Sequence, residues 1–372
     1  MGVVASVALY LLVYLLISGF ITLCSSKRLT VNRNKGNIAV FVAATCLAVF
    51  AAVRFEVGTD YINYCYIYEE YSRQNLSGIL TNGISIYNLG TFLFSKIALL
   101  FGGQKVFFGL YAFVISYMAF KFMEDNYFNL SLYLCSFLFL TSIFSDGLNI
   151  MKQTAAVAIT AYALRYVYSK QLLKYVITIA IAMAFHVTAI ISLPIYFLYN
   201  KKNSEGKTSW KMIAAIILAG MLTANIQNIL GMLGGAGIFS RYAMYASDVV
   251  RSGNNYSFIL KFMVLLFLLM FRQRFISINP KNQLLFILMM IGVCFEFSGY
   301  FSTYVKRISI YYYNMPSIIL MAQLPFFFKK DSRLVVKVLI CAYAVSLFIL
   351  SYVILRQSDI IRKRQIRWWI EK

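Results

Sequence analysis

An arginine, a glycine turn, an aspartate and two tyrosines stand together in the segment Arg54-Phe55-Glu56-Val57-Gly58-Thr59-Asp60-Tyr61-Ile62-Asn63-Tyr64. They offer a fixed cation, a proton acceptor in Asp60 and two phenols for stacking or hydrogen bonding. If a helix opens at 60–64, Tyr61 and Tyr64 share a face, because positions three apart are neighbours on a helix surface. The plain alternative is a snorkelling arginine followed by an ordinary capped turn. His186 is the chain's one histidine, inside the apolar stretch Ala182-Met183-Ala184-Phe185-His186-Val187-Thr188-Ala189. An imidazole titrates at about pH 6.5, which makes it the natural proton carrier near neutrality. A neutral histidine bonded to a backbone carbonyl is the structural alternative, but burying a titratable group is costly and needs a reason.

Further cations recur beside hydrogen-bonding groups. Lys152-Gln153 opens an apolar run after Ser145-Asp146-Gly147-Leu148-Asn149; a lysine there can hold a phosphate as a point charge, or simply snorkel. Arg241, Tyr242, Tyr245 and Arg251 share a polar segment, and Arg307 precedes Tyr311, Tyr312 and Tyr313. Guanidinium forks match phosphate oxygens two at a time. Glu296 and Asp248 can orient a cation or act as a base, although ion pairing is the preferred reading of both.

Several chemistries have no foothold. No P-loop, GxGxxG fingerprint, GxSxG elbow or HExxH is present. The nearest acidic pairs, Glu69-Glu70 and Glu124-Asp125, lack the spacing of a divalent-metal clamp. One histidine and no Cys/His cluster argue against a protein-built zinc site. Cys24, Cys46, Cys65, Cys135, Cys294 and Cys341 form no CxxC, and all but Cys65 lie in apolar runs, as small buried hydrophobes do. The expected chemistry uses fixed cations, without metal or cofactor.

These residues must be positioned by membrane helices. Of 372 residues, 61% are hydrophobic and 13% charged, against about half and a quarter in soluble domains. That excludes an ordinary cytosolic protein, a disordered chain and a disulfide-stapled secreted module. Apolar runs cover Gly2–Cys24, Asn37–Val53 and then 84–101, 106–123, 129–145, 150–168, 174–200, 211–226, 256–271, 283–297, 309–328 and 334–355. The first lacks a basic leader and cleavage signal, so it reads as a retained helix. A span needs ~20 apolar residues, which predicts an all-α polytopic integral membrane protein with roughly ten to twelve crossings in a single domain over 1–372. The formal charge of +22 would suggest nucleic acid in a soluble chain. Here the basic residues sit mostly in short spacers and mark the cytoplasmic side. Segments 54–83, 227–255 and 298–308, rich in Tyr, Asn, Ser and Gly, are left outside.

Two runs do not count cleanly. With 54–83 and 102–105 both outside, 84–101 cannot cross once and must be re-entrant or interfacial. The run 174–200 is either one long helix or two half-helices meeting near His186, a break tolerated where it lines a cavity. Parity puts the C-terminus outside, whereas Arg356, Arg362, Lys363, Arg364 and Arg367 put it inside.

Taken in order, these landmarks resemble a known family. Arg54 with Val57-Gly58-Thr59-Asp60-Tyr61 and Tyr64 resembles the R-x-x-VGTDY-x-x-Y segment of EpsG-type proteins, which stand among the Wzy-like polysaccharide polymerases of bacterial envelopes. Asn149 to Ala155 resembles the family's N-x-x-RQ-x-x-A, Ala182 to Ala189 its A-x-x-FH-x-[ST]-A, and Arg307 to Tyr311 its late R-x-x-x-Y. Arg241 and Tyr245 match a weaker R-x-x-x-Y. Lys152 stands where the family usually has Arg, so it keeps the charge but loses the bidentate fork.

The resemblance implies a GT-C-like, metal-free glycosyltransferase in the bacterial cytoplasmic (inner) membrane, its active site facing the periplasm. Such enzymes move a growing glycan from one undecaprenyl diphosphate onto another lipid-linked repeat unit, making O-antigen, capsule or exopolysaccharide. The implied catalytic group is Arg54, Asp60, His186, Arg241 and Arg307, with Tyr61, Tyr64, Lys152, Gln153, Tyr245 and Tyr312 binding substrate. Besides donor, acceptor and membrane lipid, the implied partners are a chain-length regulator and a flippase, with no nucleic acid. Two competing readings are an O-antigen ligase, which uses the same donor on a lipid A-core acceptor, and a flippase. A flippase would line a central cavity with charges from many helices, whereas these polar residues cluster toward one face.

Overall fold

A computed structural model of the protein describes residues 3–26, 33–55, 58, 60–75, 88–126, 129–199, 218, 220–221, 256–300 and 302–370. The described residues are overwhelmingly helical and contain no strand, as a chain must be if its backbone polar groups are satisfied within each span. In order the helices are α1 Val3–Ser26, α2 Arg33–Ala52, α3 Tyr61–Arg73, α4 Leu89–Phe101, α5 Gln104–Asp125, α6 Leu132–Phe139, α7 Met151–Tyr168, α8 Leu172–Met183, α9 Tyr256–Leu269, α10 Arg272–Ile278, α11 Asn282–Phe297, α12 Ser309–Gln323 and α13 Lys330–Ile370.

By length and composition, four of the described segments can cross a membrane: Val4–Cys24, Gln104–Asp125, Asn282–Tyr300 and Lys330–Tyr352. Shorter apolar helices at Asn37–Ala52, Leu89–Phe101, Leu132–Gly147, Leu172–Met183, Val187–Leu198 and Tyr256–Leu269 accompany them. The fold is thus all-α and membrane-embedded. The outer segment expected at 227–255 lies outside the described residues, as do positions 56, 57, 59 and 76–83 of the segment 54–83.

Both ambiguous runs have definite structures. Helix α4 has 13 residues, about 20 Å at 1.5 Å per residue, too short for a hydrocarbon layer of ~30 Å. Gly102 and Gly103 follow it with φ of 129° and 76°, a backbone that only glycine adopts without strain, and turn the chain into α5. The run 174–200 is broken. Helix α8 ends at Met183, a turn carries Ala184, Phe185 and His186, and a 3₁₀ segment follows at Val187–Ser192.

The chain folds into two compact units. The first comprises Met1–Ala163, Val176–Ile190 and Phe328–Lys372; the second comprises Leu164–Tyr175 and Ile191–Phe327. In the first, α2 packs along α5, α1 along α6, and α3 and α4 against each other. Gly109 of α5 faces the Ala48 carbonyl and Ala52 of α2, the small-residue contact that lets membrane helices approach closely. After α6 the helix widens into a π turn at Leu140–Phe144. Hydroxyls drive the widening: Thr141 donates to the Phe137 carbonyl at 2.8 Å, Ser142 to Leu138 at 2.5 Å and Ser145 to Leu140 at 2.8 Å. Ser145 also meets the Tyr14 hydroxyl of α1 at 2.8 Å. The widened helix stops at Gly147 and presents residues 148–150 as a turn before α7.

In the second unit α11 packs against α12 and is buried on nearly every side, as a central helix should be. Asn282 at its start donates to the Phe275 carbonyl and to Gln323, both at 2.8 Å, an amide tie between helices in an apolar setting.

Candidate active site

In the first unit the chain leaves α2 at Arg54, and the arginine turns inward, only 8% exposed. Its Nη1 donates to the Leu148 carbonyl at 2.5 Å and its Nη2 to the Met151 sulfur at 3.1 Å, so it clasps the turn between the widened helix and α7. The guanidinium carbon lies 4.5 Å from the Phe108 ring centroid and 5.8 Å from that of Tyr61. No carboxylate among the described residues pairs with it, and its Nε has no hydrogen-bond partner there. Burial lowers its pKa to about 10, which leaves the group charged at neutral pH. Arg54 is therefore a buried cation with an N–H in reserve.

Helix α3 opens at Tyr61, and Tyr61, Tyr64, Tyr68 and Tyr71 form its buried face. The shared face of Tyr61 and Tyr64 follows from their spacing. Tyr61 stacks on Phe108 with centroids 4.9 Å apart and planes 14° apart, so one ring face is already covered by protein. The Tyr64 hydroxyl accepts the Lys152 backbone N–H at a long 3.5 Å. Asp60 precedes the helix but makes no side-chain cap bond. Its backbone N–H donates to Asn149 Oδ1 at 2.9 Å, while among the described residues its carboxylate accepts a long 3.4 Å bond from Asn63. Gly58 has φ of +101°, and a Cβ there would lie 3.0 Å from the same Asn149 oxygen, so this turn requires glycine. The capped-turn alternative is thus replaced: Asn149 across the site, not Asp60, holds the turn.

Lys152 stands in the first turn of α7, its Nζ 3.3 Å from Asn88 Oδ1. Gln153 beside it is buried. Two residues after Asn88, the Gly90 N–H donates to the Ala184 carbonyl at 2.8 Å. A Cβ on Gly90 would lie 2.9 Å from the Phe185 ring and 3.0 Å from that carbonyl. Only glycine lets α4 dock so closely on the break after α8. His186 follows two residues later, half-buried, with Nδ1 2.6 Å from Thr188 Oγ1. Each two-residue step spans at most ~7 Å, so the His186 segment is coupled to the Lys152 corner through the start of α4.

The other expected site residues are not among the described residues of the first unit. Arg241 and Tyr245 lie outside the described residues. Arg307 belongs to the second unit, exposed in the turn before α12. Tyr312, also in the second unit, is buried, stacks on Phe295 at 5.7 Å and donates to the Ile191 carbonyl. Among the described residues no group of three His, Cys, Asp or Glu side chains gathers as a metal site. Of the acidic pairs weighed in the sequence, Glu124 pairs with Lys121.

Asn88 and Lys261 are additions that the sequence did not single out. Asn88 is one uncharged amide before a short apolar run. Lys261 is a lone cation inside another, and its partner Glu296 is 35 positions away. A lone lysine in an apolar helix is itself a signal, since such a charge requires a partner.

The comparison with protein families decides the class. The EpsG family model matches residues 37–363. The chain belongs to the EpsG family. The match takes in the Arg54 turn, the start of α7, the His186 break and the turn at Arg307 in one continuous range. No curated protein and no solved structure matches the chain. EpsG membership, together with the apolar helices, points to a polysaccharide-polymerase type of role in a membrane.

Proposed function

We propose that this EpsG-family protein is a metal-independent glycosyltransferase that polymerises undecaprenyl-diphosphate-linked oligosaccharide repeat units at the outer face of the bacterial cytoplasmic membrane. The observation that carries the reading is the cationic corner where Arg54, buried without a carboxylate partner among the described residues, holds Leu148 and Met151, the latter next in sequence to Lys152. A diphosphate leaving group needs that kind of surrounding. As the acceptor hydroxyl oxygen bonds to the anomeric carbon, the bond from that carbon to the diphosphate oxygen breaks. The electron pair leaves with the diphosphate, and negative charge grows on it through an oxocarbenium-like state. The Arg54 Nε–H, the Lys152 ammonium and the first amides of α7 answer that charge.

The acceptor proton passes to His186 or Asp60. For His186 the competent tautomer donates Nδ1–H to Thr188 Oγ1 and keeps the Nε2 lone pair for the proton. Asp60 is the second candidate, because its carboxylate does not cap its own helix. Tyr64 and Gln153 contribute hydroxyl and amide groups beside Lys152. In this reading Arg241, Tyr245, Arg307 and Tyr312 serve the second lipid substrate. A chain-length regulator and a flippase are its expected protein partners.

The test is reconstitution of purified protein in proteoliposomes with undecaprenyl-diphosphate-linked repeat units. A ladder of lengthened products on the lipid is the expected result. Transfer of single units to a lipid A-core acceptor without lengthening would replace polymerase by ligase.

A further inference from the structure

The second unit holds a charged cluster that the chemistry above leaves unused. Glu296 of α11 is 1% exposed. Lys261 of α9 reaches its carboxylate at 2.6 Å and Lys306 at 3.4 Å. The Ser257 and Ser309 hydroxyls donate to the same carboxylate. Lys261 Nζ also lies 3.2 Å from Ser309 Oγ and 5.3 Å from the Tyr313 ring centroid, and the Tyr313 hydroxyl donates to the Lys261 carbonyl at 3.0 Å. A carboxylate has about four acceptor positions. Four donors occupy those of Glu296, which makes it a brace for the lysines and not an available base.

Two ammonium groups share this one carboxylate, so the trio carries a surplus positive charge. Both lysines stay open to their surroundings, with side chains 21% and 32% exposed. Their depth indicates what they meet. Glu296 stands four residues before the end of the Asn282–Tyr300 span, about 6 Å at 1.5 Å per residue. Lys261 stands five residues into α9, about 7.5 Å along it. Cations at such a depth lie at the boundary between hydrocarbon and headgroups, where lipid phosphates are found. Arg307, exposed beside Lys306, extends the positive surface.

We propose that Lys261 and Lys306, braced by Glu296, form a binding site for the phosphate of a lipid headgroup. Two sources carry this chemistry: the diphosphate of an undecaprenyl-linked saccharide and the phosphodiester of a bilayer lipid. Assignment of the first as the acceptor substrate rests on the polymerase reading; the phosphate site itself does not. Full-length protein in detergent is titrated with undecaprenyl diphosphate and, separately, with phosphatidylglycerol, bound lipid being read by native mass spectrometry. Lys306→Gln is the main variant because its side chain is the more exposed; Lys261→Met and Lys306→Arg accompany it. Each glutamine or methionine variant is expected to weaken binding by about 10- to 100-fold, the loss of one charged hydrogen bond. Lys306→Arg should retain it.

Weakening confined to undecaprenyl diphosphate identifies the substrate as ligand, and weakening for both lipids identifies a bilayer phosphate. Wild-type affinity for both lipids in Lys306→Gln and Lys261→Met, with unchanged melting, overturns the site. Polymerisation by wild-type protein is scored independently, so its absence would unseat the polymerase and leave the lipid-binding result standing.

Discussion

Arg54 and Glu296 are both charged and both buried, yet the two units hold them by opposite means. Glu296 is saturated by two lysines and two serine hydroxyls, a closed ionic knot across α9, α11 and α12. Arg54 leans on a backbone carbonyl, a thioether and two aromatic rings, and one N–H is left over. A carboxylate whose acceptor positions are filled fastens helices. A buried cation with no carboxylate partner among the described residues favours an incoming anion, because attraction is supplied there without a countercharge. In the proposed reaction Arg54 does transition-state work, whereas Glu296 braces its helices.

The largest effect expected from this contrast is at Arg54. Arg54→Ala should lower polymer formation by about 100- to 1,000-fold, the loss of a donor aimed at developing charge. Arg54→Lys, without the fork, should fall between that and wild type. Product ladders from reconstituted protein, normalised to folded material, measure both. Full-length ladders from Arg54→Ala with only a lowered melting temperature would erase the contrast and make Arg54 a fastener too. At His186, replacement by alanine should cost about 100-fold if the ring moves a proton. The wild-type rate should then depend on pH, and His186→Ala should lose that dependence. A flat profile in both proteins speaks against proton transfer there.

Glu296→Gln should act mainly on stability. Its lysines are partly exposed, which puts the expected loss at about 1–3 kcal/mol, below the cost of breaking a fully buried pair. Thermal melting in detergent reads it, and an unchanged melting temperature would remove the bracing role. Smaller still is Gly90→Ala. The new Cβ meets the Phe185 ring at 2.9 Å, an overpacking expected to cost about 1–2 kcal/mol and a few-fold in rate by loosening the start of α4. No effect at all is expected from EDTA on purified enzyme; activity lost to the chelator and restored by Mg²⁺ would place a metal in the reaction.

The sequence showed the parts of this site that depend on local rules. Spacing put Tyr61 and Tyr64 on one face of α3. Charge counting left 84–101 unable to cross once if its flanks are both outside, and the run 174–200 was open to a break near His186. What it lacked were contacts whose partner has no signature. The acceptor for Arg54 is the backbone oxygen of Leu148, and any residue has one. Asn88 matters because Gly90 brings the start of α4 against Ala184, a close approach fixed only by packing. Lys261 and Glu296 were each visible as polar groups in apolar runs, but pairing across 35 positions requires knowing that α9 and α11 are neighbours. Asp60 was open to reading as its own helix cap, until Asn149 proved to hold that turn.

The shortness of α4 bears on reaction fidelity. A rod of 13 residues cannot touch both aqueous phases, so a polar group at its start, Asn88 with the Lys152 ammonium it holds, is kept from at least one of them. Water is the commonest rival of a sugar hydroxyl for an activated anomeric carbon. Asn88 and Lys152 are both half-buried, so in the proposed reaction a donor anchored there meets fewer rival waters, which tilts the balance from wasteful hydrolysis toward chain growth.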